Sequence, residues 1–146
     1  MPTTAANSYT MDELEPYFGD GQDKAMSIQL KPSTTYRKGE ALYELLASPG
    51  VFALYLAGNT DGTGTAGAPV PSVLLKRACI TDANGKITYG TVVGGMEQGQ
   101  TYTQAYAFYN GVFAIADLPT TGAGSLDTAG VASMGRKLKA ALLKLV

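Results

Sequence analysis

Three turn dipeptides, Pro49-Gly50, Asn84-Gly85 and Asn110-Gly111, cut the middle of the chain into apolar runs of strand length, and this punctuation constrains the fold more than any other feature. Pro presets φ for a turn, and Asn and Gly tolerate the positive φ that tight hairpin loops require. Asn84-Gly85 lies between the runs 73–80 and 86–93, and Asn110-Gly111 between 101–109 and 112–118, so both read as type I′ hairpins. Upstream, Met26, Ile28 and Leu30 alternate with Ser27, Gln29 and Lys31, the period of a half-buried strand that stops at Pro32. Residues 51–57 (Val-Phe-Ala-Leu-Tyr-Leu-Ala) are apolar throughout, as expected of a strand buried on both faces. Residues 39–46 contain helix formers but sit between turn signals, and their shortness favours strand.

These runs predict a mainly β (α+β) domain over residues 26–146. In 101–109, Tyr102, Tyr106 and Phe108 share one face, opposite Thr101, Thr103, Ala105, Ala107 and Tyr109. Both faces are moderately apolar, which suits a sheet covered on one side by its own core and on the other by a neighbour. Residues 58–72, rich in Gly, Thr and Pro, are too poor in large apolar side chains to enter a core and predict a surface loop. One short C-terminal helix is expected over 126–138, where Leu126, Val131, Met134 and Leu138 fit a single broad face; 140–146 reads as a closing strand or as that helix continued.

Residues 1–25 differ in kind. The first 23 positions hold Asp12, Glu13, Glu15, Asp20 and Asp23 but neither Lys nor Arg, the composition of an extended N-terminal arm. Thr10-Met11-Asp12-Glu13 has capping-box spacing, so one helical turn can begin there, with Met11 and Leu14 on one side and Pro16 opposing extension. Tyr9, Tyr17 and Phe18 make the arm stickier than a solubilising tail, consistent either with a disordered terminus or with a segment that orders on a partner. Arg136, Lys137, Lys139 and Lys144 give the other terminus the opposite sign.

The same residues narrow the chemistry. A net charge of -1 gives no footprint for nucleic acid, whose phosphates are held by clustered Lys and Arg. No apolar run approaches the roughly 20 residues of a membrane span, and the N-terminus lacks the layout of a secretory signal, so a soluble product of a cytoplasm is expected. The chain contains no His and a single Cys79, which removes the commonest general base and zinc ligand and any intrachain disulfide. Cys79 is expected as a small buried hydrophobe, and no catalytic residue, cofactor or metal site is expected. Gly62-Thr63-Gly64-Thr65-Ala66-Gly67 matches a dinucleotide fingerprint, but Pro69 and Pro71 block the helix that must follow it. Asp82, Asn84, Asn59 and Asp61 read as turn formers, since no downstream Glu completes a calcium loop.

From about Ser27 onward the order of elements resembles the lambda-type head-decoration (capsid cement) family of tailed bacteriophages. Tyr36-Arg37-Lys38-Gly39-Glu40-Ala41-Leu42 stands where the family shows a Gly-Xaa-Val/Leu-Leu strand start, and Pro71-Ser72-Val73-Leu74-Leu75-Lys76 where it carries a Gly-Ile-Leu-Leu-like strand. Gly111-Val112-Phe113 leads toward Leu118, and a short helix near Leu126-Asp127 precedes an apolar tail. These motifs are short and degenerate, and their order carries the resemblance; the 58–72 loop and the arm are longer than in the smallest members.

The resemblance implies a small β-barrel of β-tulip type, a homotrimer on the outer surface of the mature expanded capsid at its three-fold and quasi-three-fold positions, and no catalysis. It implies the major capsid protein as partner, with neighbouring decoration trimers a further one. Within that frame Tyr9, Met11, Leu14, Tyr17 and Phe18 are the expected capsid anchors, and the two-faced run, with Tyr102, Tyr106, Phe108 and Tyr109, the expected trimer interface. The alternative is a virion-surface adhesin or glycan-binding module that uses its exposed aromatics.

Overall fold

The computed structural model describes residues 13–16, 24–89, 101–128 and 130–131. The chain is mainly β, with eight strands among the described residues: β1 (Lys24–Leu30), β2 (Thr35–Tyr36), β3 (Ala41–Glu44), β4 (Val51–Leu54), β5 (Pro71–Leu75), β6 (Cys79–Thr81), β7 (Ile87–Tyr89) and β8 (Ala105–Asn110). Five of them close on themselves in the order β1-β4-β3-β5-β8, and β2-β6-β7 form a second sheet. The ring closes because β1 pairs on both sides, parallel with β4 and antiparallel with β8. Register shifts at Lys24/Ala25 in β1 and at Leu42/Tyr43 in β3 supply the bends that a closed sheet of so few strands needs.

Alternation along the strands builds two cores. On the inner face Ile28, Leu30, Leu42, Phe52, Val73 and Leu75 meet the small Ala105 and Ala107, while Tyr36, Cys79 and Ile87 of the second sheet pack onto the same cluster. On the outer face Ala41, Tyr43, Ala53, Leu74 and Phe108 are covered by Leu14, Tyr55, Phe113 and Leu118. Residues 51–54 are buried on both faces for this reason, and Met26, Ile28 and Leu30 turn inward as their spacing predicts.

Several expectations are corrected. The run 73–80 is not one strand: the chain leaves the closed sheet after Leu75 and enters the second sheet at Cys79. Asn84-Gly85 does join an antiparallel pair, Thr81 opposite Ile87, but only Gly85 has positive φ, at 81°. Gly85 N–H donates to the Asp82 carbonyl at 3.0 Å and Asp82 N–H to that of Lys86 at 3.0 Å, a three-residue loop in place of the type I′ turn. Asn110-Gly111 makes no hairpin at all. Both edges of β8 are already taken by β1 and β5, so residues 112–118 leave the sheet and fold over its outer face, with a 3-10 turn at Ile115–Asp117.

The boundary between arm and body also moves. β1 starts at Lys24, and Leu14, assigned to the arm, is a core residue only 1% exposed. Glu13, the last position of the expected capping box, forms an antiparallel bridge with Arg77, while Thr10, Met11 and Asp12 lie outside the described residues. At the other end a helical turn opens at Thr128, where Asp127 Oδ1 accepts the Gly130 N–H at 2.7 Å and the Asp127 carbonyl accepts the Val131 N–H at 2.9 Å. The rest of the expected helix, from 132 to 138, the tail 140–146 and the basic residues Arg136, Lys137, Lys139 and Lys144 lie outside the described residues.

Candidate functional site

Of the five expected anchors, Tyr9, Met11, Tyr17 and Phe18 lie outside the described residues. Leu14 is buried against the chain's own outer core and so has no surface left for a capsid. The expected interface residues separate. Phe108 is buried, its ring 5.0 Å from that of Phe113, because the segment after Gly111 folds back across it. A face expected to await a neighbour is thereby closed by the chain itself, and Phe108 drops out of the interface set. Tyr102 is half-buried, its ring 5.3 Å from Tyr89, and its backbone exchanges hydrogen bonds with Ile87. Tyr106 and Tyr109 remain at the surface, 59% and 38% exposed.

Tyr106 borders a shallow groove of about 250 Å³ whose walls include Lys76, Arg77, Tyr89 and Tyr102, with Glu13 at one end. The Arg77 guanidinium stacks 4.0 Å from the Tyr89 ring centroid, and Lys76 Nζ lies 5.8 Å from that of Phe108. Cation and ring hold each other in place, so the groove presents a fixed basic and aromatic surface.

Tyr109 belongs to a different place, a cleft of about 600 Å³ at the opposite end of β8. Every strand of the closed sheet reaches it: Met26 from β1, Glu44 from β3, Phe52 from β4, Ser72 and Val73 from β5, Tyr109 from β8. The cleft is therefore the open mouth of the ring. Glu44 is held at its rim, where Oε2 accepts the Gly50 N–H at 2.7 Å.

Behind these surfaces a polar network ties the C-terminal segment to the sheet. Glu40 is 2% exposed, and its carboxylate accepts from Arg37 Nε at 2.6 Å and from the Arg37 N–H at 2.8 Å. Arg37 Nη2 reaches on to the carbonyls of Thr121 at 2.8 Å and Ala123 at 3.2 Å. Burial raises the pKa of Glu40, and its bonds to Arg37 oppose that shift without cancelling it. Tyr55 donates its hydroxyl to Asp127 at 2.9 Å and Tyr43 donates to Asp61; burial, then the carboxylate partner, pushes each phenol up to about 12. The sequence reading missed Glu40, although an Arg-x-x-Glu spacing before a strand was there to be read.

Of the residues read as turn formers, Asp82 acts as one, whereas the Asn59 and Asp61 side chains both bind the Tyr43 hydroxyl. Asp82 Oδ1 accepts the N–H groups of Asn84 at 2.8 Å and Lys86 at 2.9 Å. In the Gly62 to Gly67 segment the Gly62 N–H donates to the Gly67 carbonyl at 2.8 Å and the Gly64 N–H to that of Ala68 at 2.9 Å. Those amides are satisfied within the loop, no helix follows, and a pyrophosphate finds no free cradle there. Cys79 is buried, which pushes its thiol up to about 12, the behaviour of a packed hydrophobe.

The chain matches no protein-family model, no curated protein and no solved structure.

Proposed function

We propose that this protein is a structural binding module of the head-decoration type, a homotrimer that caps the outer surface of a mature viral capsid and stabilises it without catalysis. The observation that carries the reading is Tyr106, a large aromatic left 59% exposed beside the Lys76–Arg77 groove while its strand neighbours Ala105, Ala107 and Phe108 are buried. Aromatics and Arg are enriched at the centres of protein interfaces, so a fixed surface of this kind suits a protein partner. The closed five-stranded ring supports the finer assignment, a β-tulip barrel with a C-terminal helix that starts at Asp127.

In this reading Tyr106 and the half-buried Tyr102 contribute one of the two unlike surfaces of a three-fold interface, and Tyr9, Met11, Tyr17 and Phe18 remain the capsid anchors. Binding only the expanded lattice stabilises it by RT ln(1 + [L]/Kd) per site, and three linked contacts strengthen the grip. The decisive experiment adds the purified chain to expanded and unexpanded shells and measures co-sedimentation, with the solution mass taken by light scattering. Trimers that bind expanded shells alone are expected. A chain that remains a monomer and ignores both shells sinks the reading.

A further inference from the structure

The mouth of the closed sheet, bordered by Tyr109, has the form of a ligand site. Ligand clefts run to roughly 300–1,000 Å³, occur at barrel mouths, and combine an apolar floor with a few fixed polar groups. Here the volume is about 600 Å³, with Met26, Phe52 and Val73 as floor. Tyr109 and Asn110, consecutive at the end of β8, join Ser72 and Glu44 at the rim, each held on or beside a strand of the ring. Groups on strand ends are positioned more firmly than groups on a long loop.

We infer that this mouth binds a neutral saccharide unit, whose apolar ring face lies against Tyr109 and whose hydroxyls meet the side chains of Ser72, Asn110 and Glu44. The charge pattern selects the class. Among the described residues no Lys or Arg lines the cleft, and the ionisable wall groups there are Tyr109 and the Glu44 carboxylate, so phosphate, sulfate and carboxylate ligands meet repulsion from that wall. A purely apolar ligand would take water from the polar rim groups, including Glu44 Oε1, and return no hydrogen bonds, a loss that sugar hydroxyls avoid because each both donates and accepts. Tyr109 is 38% exposed, enough ring to receive a sugar face while its other edge stays packed. Such a site would let a particle carrying many copies collect on glycans through avidity even where each contact is weak.

The test is a glycan array of neutral, sialylated and sulfated sugars probed with the labelled full chain. Saturation-transfer NMR with lactose, maltose and N,N′-diacetylchitobiose follows. At least one neutral glycan or disaccharide is expected to bind, with Tyr109→Ala weakening it about tenfold. Asn110→Ala should give a loss in the same direction, so the result does not rest on one variant's folding. Leu56→Ser, exposed and outside the cleft, is the control that should leave binding unchanged. The inference is overturned by an array on which no neutral glycan binds, by preference for sialylated or sulfated ones, or by sugar binding that survives both variants. It is equally overturned if the uncharged apolar dye Nile red enters the mouth in preference to every sugar, or if Tyr109 proves covered by a second copy of the chain. The sugar and dye outcomes leave capsid co-sedimentation untouched, and a second copy over Tyr109 would sink the saccharide site while favouring the trimer, so the two readings remain distinguishable.

Discussion

The backbone N–H of Leu14 donates to the carbonyl of Lys76 at 2.8 Å, and this bond seats the Leu14 side chain among Tyr43, Leu74 and Phe113 in the outer core. Among the described residues the acidic segment is attached to the body here and through the adjoining Glu13–Arg77 bridge. Leu14→Ala should destabilise the fold by about 2–5 kcal/mol, the range for emptying a buried aliphatic site. Deleting residues 1–12, which spares that point, should leave stability within about 0.5 kcal/mol. Urea melts of the two variants check this, and equal losses would refute it. The shorter deletion is also the proper probe of capsid anchoring by Tyr9 and Met11, since removing the first 23 residues would damage the core at the same time.

Glu40 makes stability depend on pH in a definite direction. Burial raises its pKa, so the folded chain holds the Glu40 proton more tightly than the unfolded chain does. Its contribution is complete below the ordinary glutamate value of 4.5 and is lost as pH rises through the raised folded value. The stability of the wild type relative to Glu40→Gln should therefore fall as pH rises above 4.5, measured by paired urea melts. A wild type that instead gains on the variant over that rise would show that Arg37 outweighs burial.

Arg37→Ala tests the same pair from the other side. It leaves a buried carboxylate with fewer donors and frees the carbonyls of Thr121 and Ala123. The expected loss is about 3 kcal/mol, the lower end of the range for breaking a buried pair, because Arg37 itself is half-exposed. Hydrogen exchange should quicken first at Ala41 and Gly124, whose amides knit the C-terminal segment to the sheet: Ala41 N–H donates to the Gly124 carbonyl and Gly124 N–H to that of Tyr55, both at 2.7 Å.

Cys79 should resist alkylation in the folded state. With its thiol pushed up to about 12 by burial, iodoacetamide at neutral pH should label it only as fast as the chain opens, and fully in denaturant. Rapid native labelling, read by mass spectrometry, would show that the second sheet does not cover it.

Gly67→Ala should disrupt the 58–72 loop without unfolding the body. Gly67 has φ of 81°, and a Cβ there would stand 2.0 Å from the Thr60 carbonyl oxygen. Strain of about 1–3 kcal/mol is expected, with amide shifts confined to the loop and to Leu45, which bridges Gly62. Shifts spread through β1 and β8 would contradict that assignment.

Local chemistry made some of these elements legible and left others hidden. The alternation of Met26, Ile28 and Leu30 declared β1 because a half-buried strand writes its period into the sequence. Asp82-Ala83-Asn84-Gly85 declared a turn, and only the Asp82 side chain, which takes two amides, hinted that the loop is one residue longer than type I′. Asn110-Gly111 carried the same signal and misled, because a turn dipeptide specifies that the chain bends and says nothing of whether the adjacent strand has an edge free. That is decided by β1 and β5, distant in sequence. The exposed Tyr109 was legible as a surface aromatic, but the mouth it borders was not, since five separate segments assemble it.

The ring closes through one parallel pairing, Gln29 with Val51 and Leu30 with Phe52, all its other pairings among the described residues being antiparallel. Closure therefore waits until a segment near the amino end has met partners at both 51–52 and 105–110, contacts whose sequence separation slows folding. Of the two joins that β1 makes, the parallel one spans the shorter stretch of chain and only two residue pairs, so it is expected to form before the join to β8 and to part before it under load, which makes it the latch that sets how long a native copy survives.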